Sequence, residues 1–206
     1  MPGFVDILEQ VAAMLQNDRA SILRSSEAIT GAIQPDSGPD TSAQPVRVET
    51  LKKGYTQLAR VFDPEWGGFG AAPKFPTPHN LTSLLRWHKR TGDGEVLEMV
   101  EVTLNAMRNG GIFDQVGFGF HRYSVDSKWL VPHFEKMLYD QALLAIAYLE
   151  AYQVTGKAAF ARVAREVFTY VLRDMTGSDG GFYSAEDADS EGKEGRQAGG
   201  EPREGR

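Results

Sequence analysis

The sequence predicts an all-α fold of antiparallel helical hairpins that form part of an α/α toroid. Apolar residues recur at helical spacing over most of the chain, and no two segments alternate as paired strands would. Paired glycines recur in three segments, "GGFG" at 67, "GGIF" at 110 and "GGFY" at 180, with two predicted helices between each and the next. This spacing is typical of a repeat of helical hairpins.

The first part of the chain is predicted to be one long helix followed by a linker. Phe4, Ile7, Leu8 and Val11 begin an apolar stripe that continues more sparsely through residues 4–33. Residues 34–45, "QPDSGPDTSAQP", are rich in proline and small polar residues and have no helical period. We therefore expect two regions: residues 1–33, and the helical repeat over residues 46–192.

The repeat is predicted to contain helices with identifiable starts and stops. Thr77 and Pro78 form a hydroxyl N-cap followed by proline at the first helical position, and Asp93 can cap the next helix. Pro132 is predicted to begin a further helix, which Gly156 ends. The predicted helices are 47–62, 78–91, 94–109, 132–155 and 157–175.

Long loops join these helices at every second connection. Because consecutive helices are antiparallel, the loops at 63–78, 110–131 and 176–191 should lie on one face. The segment 110–140 is dense in histidines, acids and aromatic residues, which a simple connector does not need. We interpret this face as the lining of a pocket.

Composition excludes several classes of function. The net charge of −6 argues against a nucleic-acid partner, and no apolar run is long enough to cross a membrane. The start lacks the pattern of a secretory signal, so we expect a cytoplasmic protein. The absence of cysteine excludes disulfides and thiolate metal sites within this chain, and no cofactor is predicted.

Three segments resemble the motifs of the spermatogenesis-associated, thioredoxin-domain-containing protein family. They are "GGFGAAPKFPTPHNL", "GGIFDQVGFGFHRYSVDSKWLVPHFEKMLYDQA" and "GGFYSAEDADSEG", within residues 48–192. The resemblance implies a thioredoxin-like domain followed by a barrel similar to N-acylglucosamine 2-epimerases and six-hairpin glycosidases. It therefore implies a partial (α/α)6 toroid, six-hairpin glycosidase-like, with residues 1–33 as the end of the thioredoxin-like domain and its exit helix.

The chain also departs from the family pattern. The cysteine motif of the thioredoxin-like domain is absent, and Phe118 replaces the middle of three glycines before "FHRY". Residues 193–206 carry no core-forming side chain and are predicted to be a disordered tail. The interpretation is a fragment of a longer protein, whose incomplete toroid leaves apolar flanks uncovered and favours self-association.

The candidate catalytic residues are His121, Asp126, His133 and Asp140. A histidine can move a proton beside a sugar carbonyl, and a carboxylate can orient it or act alone. The i, i+3, i+7 spacing of His133, Lys136 and Asp140 predicts one face of the helix that begins at Pro132, where the helix dipole would keep His133 unprotonated. The alternatives are a backbone-bonded His121, a capping His133 and, for Lys136 and Asp140, a buried ion pair that joins neighbouring helices.

The candidate substrate-binding residues are aromatic or hydrogen-bonding. Aromatic rings can stack on the apolar face of a sugar, or they can simply fill the core. The acids at 186, 187 and 189 could be the paired carboxylates of a glycosidase, a solvated turn or a calcium loop. Ala198 stands where the calcium loop needs glutamate, so no metal is predicted. The candidates are Phe69, Lys74, Phe75, Asp114, Arg122, Tyr123, Trp129, Lys136, Tyr183, Glu186 and Asp187.

The predicted function is that of a carbohydrate-active α/α domain with a sugar-like small molecule as its partner. The first hypothesis is a sugar epimerase or isomerase, which needs two opposed proton-transfer groups; a glycoside hydrolase would need two flanking carboxylates. Two other hypotheses stay open: a non-catalytic ligand-binding module that serves a thioredoxin-like domain, and an inactive fragment.

Overall fold

The computed structural model describes residues 3–33, 47–190 and 193–194, which belong to two compact units, Met1–Val46 and Arg47–Arg206. In the first unit, α1 (Phe4–Asn17) and α2 (Arg19–Ile33) contact each other. The single helix predicted over 4–33 is wrong, because Asp18 has a non-helical φ of −146° and accepts a hydrogen bond from the Ser21 N–H. The predicted linker lies outside the described residues.

The second unit contains the helical repeat. The helices predicted at 78–91 and 94–109 are confirmed to the residue, and Asp93 caps the second of them by accepting from the Glu95 N–H at 3.0 Å. Thr77 precedes the first, but its hydroxyl makes no capping hydrogen bond. The helices are α3 (Val48–Val61), α4 (Pro78–Thr91), α5 (Gly94–Asn109), α6 (Leu138–Thr155) and α7 (Ala158–Asp174).

Helices α4 and α6 pack against each other at the centre of this unit. Helix α5 contacts both, and α7 packs along α6. The apolar core lies between them, and Tyr148 places its hydroxyl inside it by donating to the Leu104 carbonyl at 2.7 Å. Gly92 and Gly156 end α4 and α6 in the left-handed conformation, so the short turns lie at one end of the helices and the long loops at the other. No described helix is long and apolar enough to cross a membrane.

The long loops contact one another through their backbones. The Lys74 N–H donates to the Ser124 carbonyl at 2.8 Å, which joins the first loop to the second. Strand β3 (Lys136–Met137) pairs with β4 (Ala185–Glu186), which joins the second loop to the third. The prediction that the three loops share one face is therefore confirmed.

The second loop also contains a small hairpin that the sequence analysis missed. Strand β1 (Tyr123–Ser124) pairs with β2 (Pro132–His133), and a further pair joins β5 (Asp189–Ser190) to β6 (Lys193–Glu194). The predicted absence of paired strands is wrong, and so is the helix start at Pro132. Residues 132–137 use their backbone groups in pairing between segments, so α6 begins only at Leu138. Of the predicted disordered tail, residues 195–206 lie outside the described residues.

The loops do repeat, but in a different register from their paired glycines. Each begins with a tight turn closed by a backbone bridge, Phe62 to Phe69 in the first loop and Phe113 to Phe120 in the second. A shorter turn in the third loop is closed by a bridge from Thr176 to Phe182. The equivalent of the "GGF" at 67–69 is therefore "FGF" at 118–120, and the glycines at 110–111 belong to the end of α5.

Candidate functional site

The candidate site is built on the β1–β2 hairpin and the first turn of α6. The Arg122 N–H donates to the Glu135 carbonyl at 2.7 Å and extends the pairing of β1 with β2. The segment "HRY" at 121–123 therefore lies beside "HFE" at 133–135. The structure brings together these predicted residues by strand pairing, and not on one face of a helix.

His121 is a buried, uncharged imidazole. His121 is only 7% exposed, and its Nδ1 is 3.2 Å from the Phe134 carbonyl oxygen. Burial, aided by the nearby Lys136 charge, lowers the pKa of His121 to about 4. Since a carbonyl oxygen can only accept, Nδ1 carries the hydrogen and Nε2 keeps its lone pair. Within the described residues Nε2 has no hydrogen-bond partner, so it can accept a proton.

Arg122 and Glu135 form an ion pair at the edge of the same hairpin. The Arg122 Nη1 is 2.6 Å from the Glu135 Oε2. The hydrogen bond that Arg122 donates to Glu135 is the main reason that the pKa of Arg122 is raised above its usual value. The Arg122 Nε is buried and has no partner among the described residues. The guanidinium therefore presents a fixed positive charge to its surroundings.

Asp140 is the second group that can exchange a proton near neutral pH. It lies in the first turn of α6 and is 8% exposed. Burial raises the pKa of Asp140 to about 6, with Arg122 opposing the rise and Glu135 adding to it. Within the described residues its carboxyl group accepts no hydrogen bond. Burial thus outweighs the helix N-terminus, which would favour the charged form.

Three rings form a stack beside these groups. The Tyr123 ring lies 4.9 Å from the His133 ring and 4.8 Å from the Phe75 ring, centroid to centroid. The His133 Nε2 is 3.9 Å from the Glu135 Oε2. Phe75 is exposed, so the stack ends at solvent. His133 is in a strand, and the predicted effect of a helix dipole on it is wrong.

Two buried lysines clamp the loops. Lys74 places its Nζ 2.5 Å from the Asp63 Oδ2 and donates to the Gly67 carbonyl. Lys136 places its Nζ 2.8 Å from the Asp114 Oδ2 and donates to the Phe118 carbonyl, so it forms a buried ion pair, although with a loop residue and not with a neighbouring helix. These contacts give Lys74, Asp114 and Lys136 structural roles in place of the predicted sugar contacts.

Other predicted residues also have structural roles. Trp129 is 0% exposed and its indole N–H donates to the Trp66 carbonyl at 2.9 Å, so it cannot cover a sugar ring. Phe69 packs against the core beside Phe62. Asp126 accepts from the backbone N–H groups of Lys128, Leu130 and Val131. Burial pushes the pKa of Asp126 upward, but these hydrogen bonds outweigh it and hold the pKa below its usual value.

The third loop contributes one acid that is well anchored. The Glu186 Oε2 accepts from the Tyr170 hydroxyl at 2.6 Å, and this bond adds to the effect of burial in raising the pKa of Tyr170. Asp187 and Tyr183 are exposed. Among the described residues, no group of three or more acids or histidines is arranged to hold a metal ion.

The sequence analysis missed Glu135 and Tyr170. No sequence signal indicated Glu135, because the register that puts Tyr123 opposite His133 would place Phe134 opposite Arg122. Grooves of about 590 Å³ beside Trp66 and about 440 Å³ beside Arg86 contain none of the acid–base residues. Neither groove belongs to the site, which is therefore described by the contacts and charges of its residues.

Curated relatives are similar to this chain over most of its length. No protein-family model matches it. Spermatogenesis-associated protein 20 of Homo sapiens is 41% identical over 210 residues, which cover 98% of this chain and 26% of the human protein. The Rattus norvegicus protein of the same name is 42% identical over 195 residues, 91% of this chain and 25% of its own length. The chain is a homologue of spermatogenesis-associated protein 20. It spans about a quarter of the length of these relatives.

Solved structures similar to this spermatogenesis-associated protein 20 homologue show its fold. A cellobiose 2-epimerase from Bacillus thermoamylovorans aligns with a TM-score of 0.59 at 16% identity, covering 68% of this chain and 40% of the epimerase. A D-mannose isomerase aligns with a TM-score of 0.55 at 15% identity, covering 66% of this chain and 39% of the isomerase. The predicted α/α toroid class and the family resemblance are confirmed.

Proposed function

We propose that the loop face of this chain binds a sugar-like polyol and supplies proton transfer for an epimerase- or isomerase-like reaction. The observations that carry the proposal are two buried groups suited to proton transfer: His121 beside the hairpin, and Asp140 at the start of α6, where the Arg122 charge acts on it. One is an uncharged base with a free lone pair, and the other is a carboxyl group with a pKa of about 6. Groups whose environments separate their pKa values in this way are typical of acid–base sites.

The chemistry requires no cofactor. The His121 Nε2 takes the proton from the carbon beside a sugar carbonyl, and the C–H electron pair forms a carbon–carbon double bond as the carbonyl oxygen becomes negative. The charge of Arg122 stabilises that oxygen. Protonated Asp140 then returns a proton to the opposite face of the carbon as the carbonyl re-forms, which gives the epimer. If the hydroxyl proton of that carbon first passes to the negative oxygen, return of the proton to the former carbonyl carbon gives the isomer.

Binding would use the stacked rings. Phe75 is the exposed end of the stack with Tyr123 and His133, and an aromatic face of this kind packs against the C–H groups of a sugar. Sugar epimerases and isomerases among the similar solved structures support the same class of ligand. The cytoplasmic location and the link to a thioredoxin-like domain stay predictions.

A non-catalytic sugar-binding module is the second candidate. It is favoured by the many candidate residues that serve only to fix the loops, such as Lys74, Asp114 and Asp126. Hydrolysis is less well supported, because Glu135 and Glu186 are each held by a hydrogen bond within the chain.

The test is a screen of reducing mono- and disaccharides against the full chain in D2O. Binding is measured by saturation-transfer NMR, and turnover by deuterium incorporation beside the carbonyl. His121→Gln and Asp140→Asn should each reduce the exchange rate by about 100-fold with binding retained. His79→Gln, an exposed residue of α4, is the control. Binding without exchange would support the module, and neither binding nor exchange would reject the proposal.

A further inference from the structure

The lysine–aspartate clamps of the first and second loops have the same set of contacts but different neighbouring residues. In each, a lysine bonds an aspartate that follows a phenylalanine and also bonds the carbonyl of a left-handed residue, Gly67 in one and Phe118 in the other. The aspartates also accept from the backbone N–H groups of their own turns. The clamp itself thus needs no other ionisable group.

What differs is the residue that follows the turn. Position 70 in the first loop is glycine, and the equivalent position in the second loop is His121. The His121 N–H donates to the Ile112 carbonyl at 2.8 Å, on the same turn that holds the Lys136 ammonium group. Buried Lys136 and buried His121 are therefore anchored to one turn, with little water to separate their charges.

We propose that Lys136 is a positioning residue that keeps His121 in its uncharged, proton-accepting form. A second positive charge on the imidazole would lie close to an ammonium group that cannot move away. The Lys136 Nζ is held by Asp114 at 2.8 Å, by the Phe118 carbonyl at 3.1 Å and over the Tyr170 ring at 4.4 Å. The catalytic importance of an uncharged His121 rests on the proposed function. The protonation state of His121 can nevertheless be measured without any substrate.

Other charged groups near His121 act in the opposite direction. Asp114 and Glu186 favour a protonated imidazole, as does the Phe134 carbonyl that accepts from Nδ1. Glu186 comes from β4 and is engaged by the Tyr170 hydroxyl. Burial opposes them most strongly, and Lys136 is the charge that adds to the effect of burial.

The experiment is a histidine titration of the full chain by NMR, with His121 assigned among the four histidines by the signal lost in His121→Gln. In the parent, His121 should stay uncharged from pH 8 to pH 5. In Lys136→Met/Asp114→Asn, which removes the Lys136 charge together with the smaller opposing effect of Asp114, its pKa should rise toward the usual value of about 6.5. Lys74→Met/Asp63→Asn, the matched removal in the first loop, should leave the His121 titration unchanged.

An unchanged His121 pKa in the second-loop variant would overturn the proposal, and so would an equal rise in both variants, since that would indicate general loosening. Circular dichroism reports whether each variant folds. If the second-loop variant does not fold, the test uses the parent chain. Between about pH 6 and about pH 3.5 the chemical shift of the Lys136 Cε should change with the same midpoint as the His121 titration, and that of the Lys74 Cε should stay constant. A flat Lys136 resonance would overturn the proposal whether or not the chain turns over a sugar.

Discussion

Phe118 occupies in the second loop the position that Gly67 occupies in the first, and both residues have a φ of 68°. Glycine adopts this left-handed conformation without steric conflict, whereas a residue with a Cβ atom does so at a cost of about 1–2 kcal/mol. The Phe118 ring offsets part of this cost by packing near Phe113, with the ring centroids 6.4 Å apart. The site loop therefore contains local strain next to the lysine clamp.

Substitutions at Phe118 should reverse the usual order of alanine and glycine. Both Phe118→Ala and Phe118→Gly lose the packing of the ring, but only glycine relieves the left-handed strain. We expect Phe118→Gly to be more stable than Phe118→Ala by about 1 kcal/mol in urea unfolding. An alanine variant that equals or exceeds the glycine variant would show that the loop is not strained at this residue.

Gly67 should tolerate no side chain. A Cβ atom there would lie 2.7 Å from the Thr103 Cα, and the φ of 68° adds strain. We expect Gly67→Ala to lower the free energy of unfolding by more than about 2 kcal/mol. Gly54→Ala is the control, because Gly54 is inside α3 with open space around it, and this change should raise the stability by about 0.5–1 kcal/mol. Equal effects at the two glycines would contradict the close approach.

Asp140 should make the chain less stable as the pH rises. The folded chain holds this proton more tightly than the unfolded chain, because the pKa is about 6 when folded and near 3.8 otherwise. Stability should therefore fall between pH 4 and pH 7 by about 1–2 kcal/mol after allowance for solvent screening. Asp140→Asn should remove this loss, so that parent and variant are equal at pH 4 and the variant is more stable at pH 7.

Asp126 should change the stability of the chain with pH in the opposite direction to Asp140. Its pKa is lowered in the folded chain, so its contribution is present above its unfolded pKa and is lost as the pH falls through the folded value. Asp126→Asn should therefore lower the stability at pH 7, while Asp140→Asn raises it. Thermal unfolding of the two variants across this pH range makes the comparison, and shifts of the same sign would contradict both assignments.

Self-association is expected through the uncovered side of α6. Leu143 and Ile146 are one turn apart on α6 and are 42% and 46% exposed. Burying them between two chains would be favourable, so we expect the sedimentation coefficient to rise with concentration. Leu143→Glu/Ile146→Glu should abolish the rise and Arg162→Glu on α7 should not. A parent that sediments as a monomer at all concentrations would show that this prediction is wrong.

Local signals were enough to predict most helix boundaries. Pro78 and Gly92 bracket α4, and Asp93 caps α5, because each acts through its own backbone geometry within one turn. The start of α6 could not be read in the same way. Pro132 is a good first residue of a helix, but the pairing of His133 with Tyr123 across the hairpin competes with the helix and prevails.

The sequence was sufficient to predict many of the residues that belong to the site, but not the role of each residue in it. The density of polar residues at 110–140 located His121, Arg122 and Asp140, and the structure places Arg122 near Asp140. Trp129 and Phe75 were equivalent in the sequence, yet one is in the core and the other is exposed. Burial of this kind depends on packing between loops that are distant in sequence, and so does the pKa of Asp140.

The lysine clamps also explain how these loops can change in evolution. Asp63 and Lys74 are 11 residues apart, whereas Asp114 and Lys136 are 22 apart, yet both pairs close in the same way. Doubling the length of a closed loop costs only about 0.6 kcal/mol in chain entropy. The second loop thus accommodates an entire extra hairpin between its anchors while the helix ends stay as they are. Each hairpin repeat can therefore acquire new functional residues in its long loop while the helices that the clamp joins keep their positions.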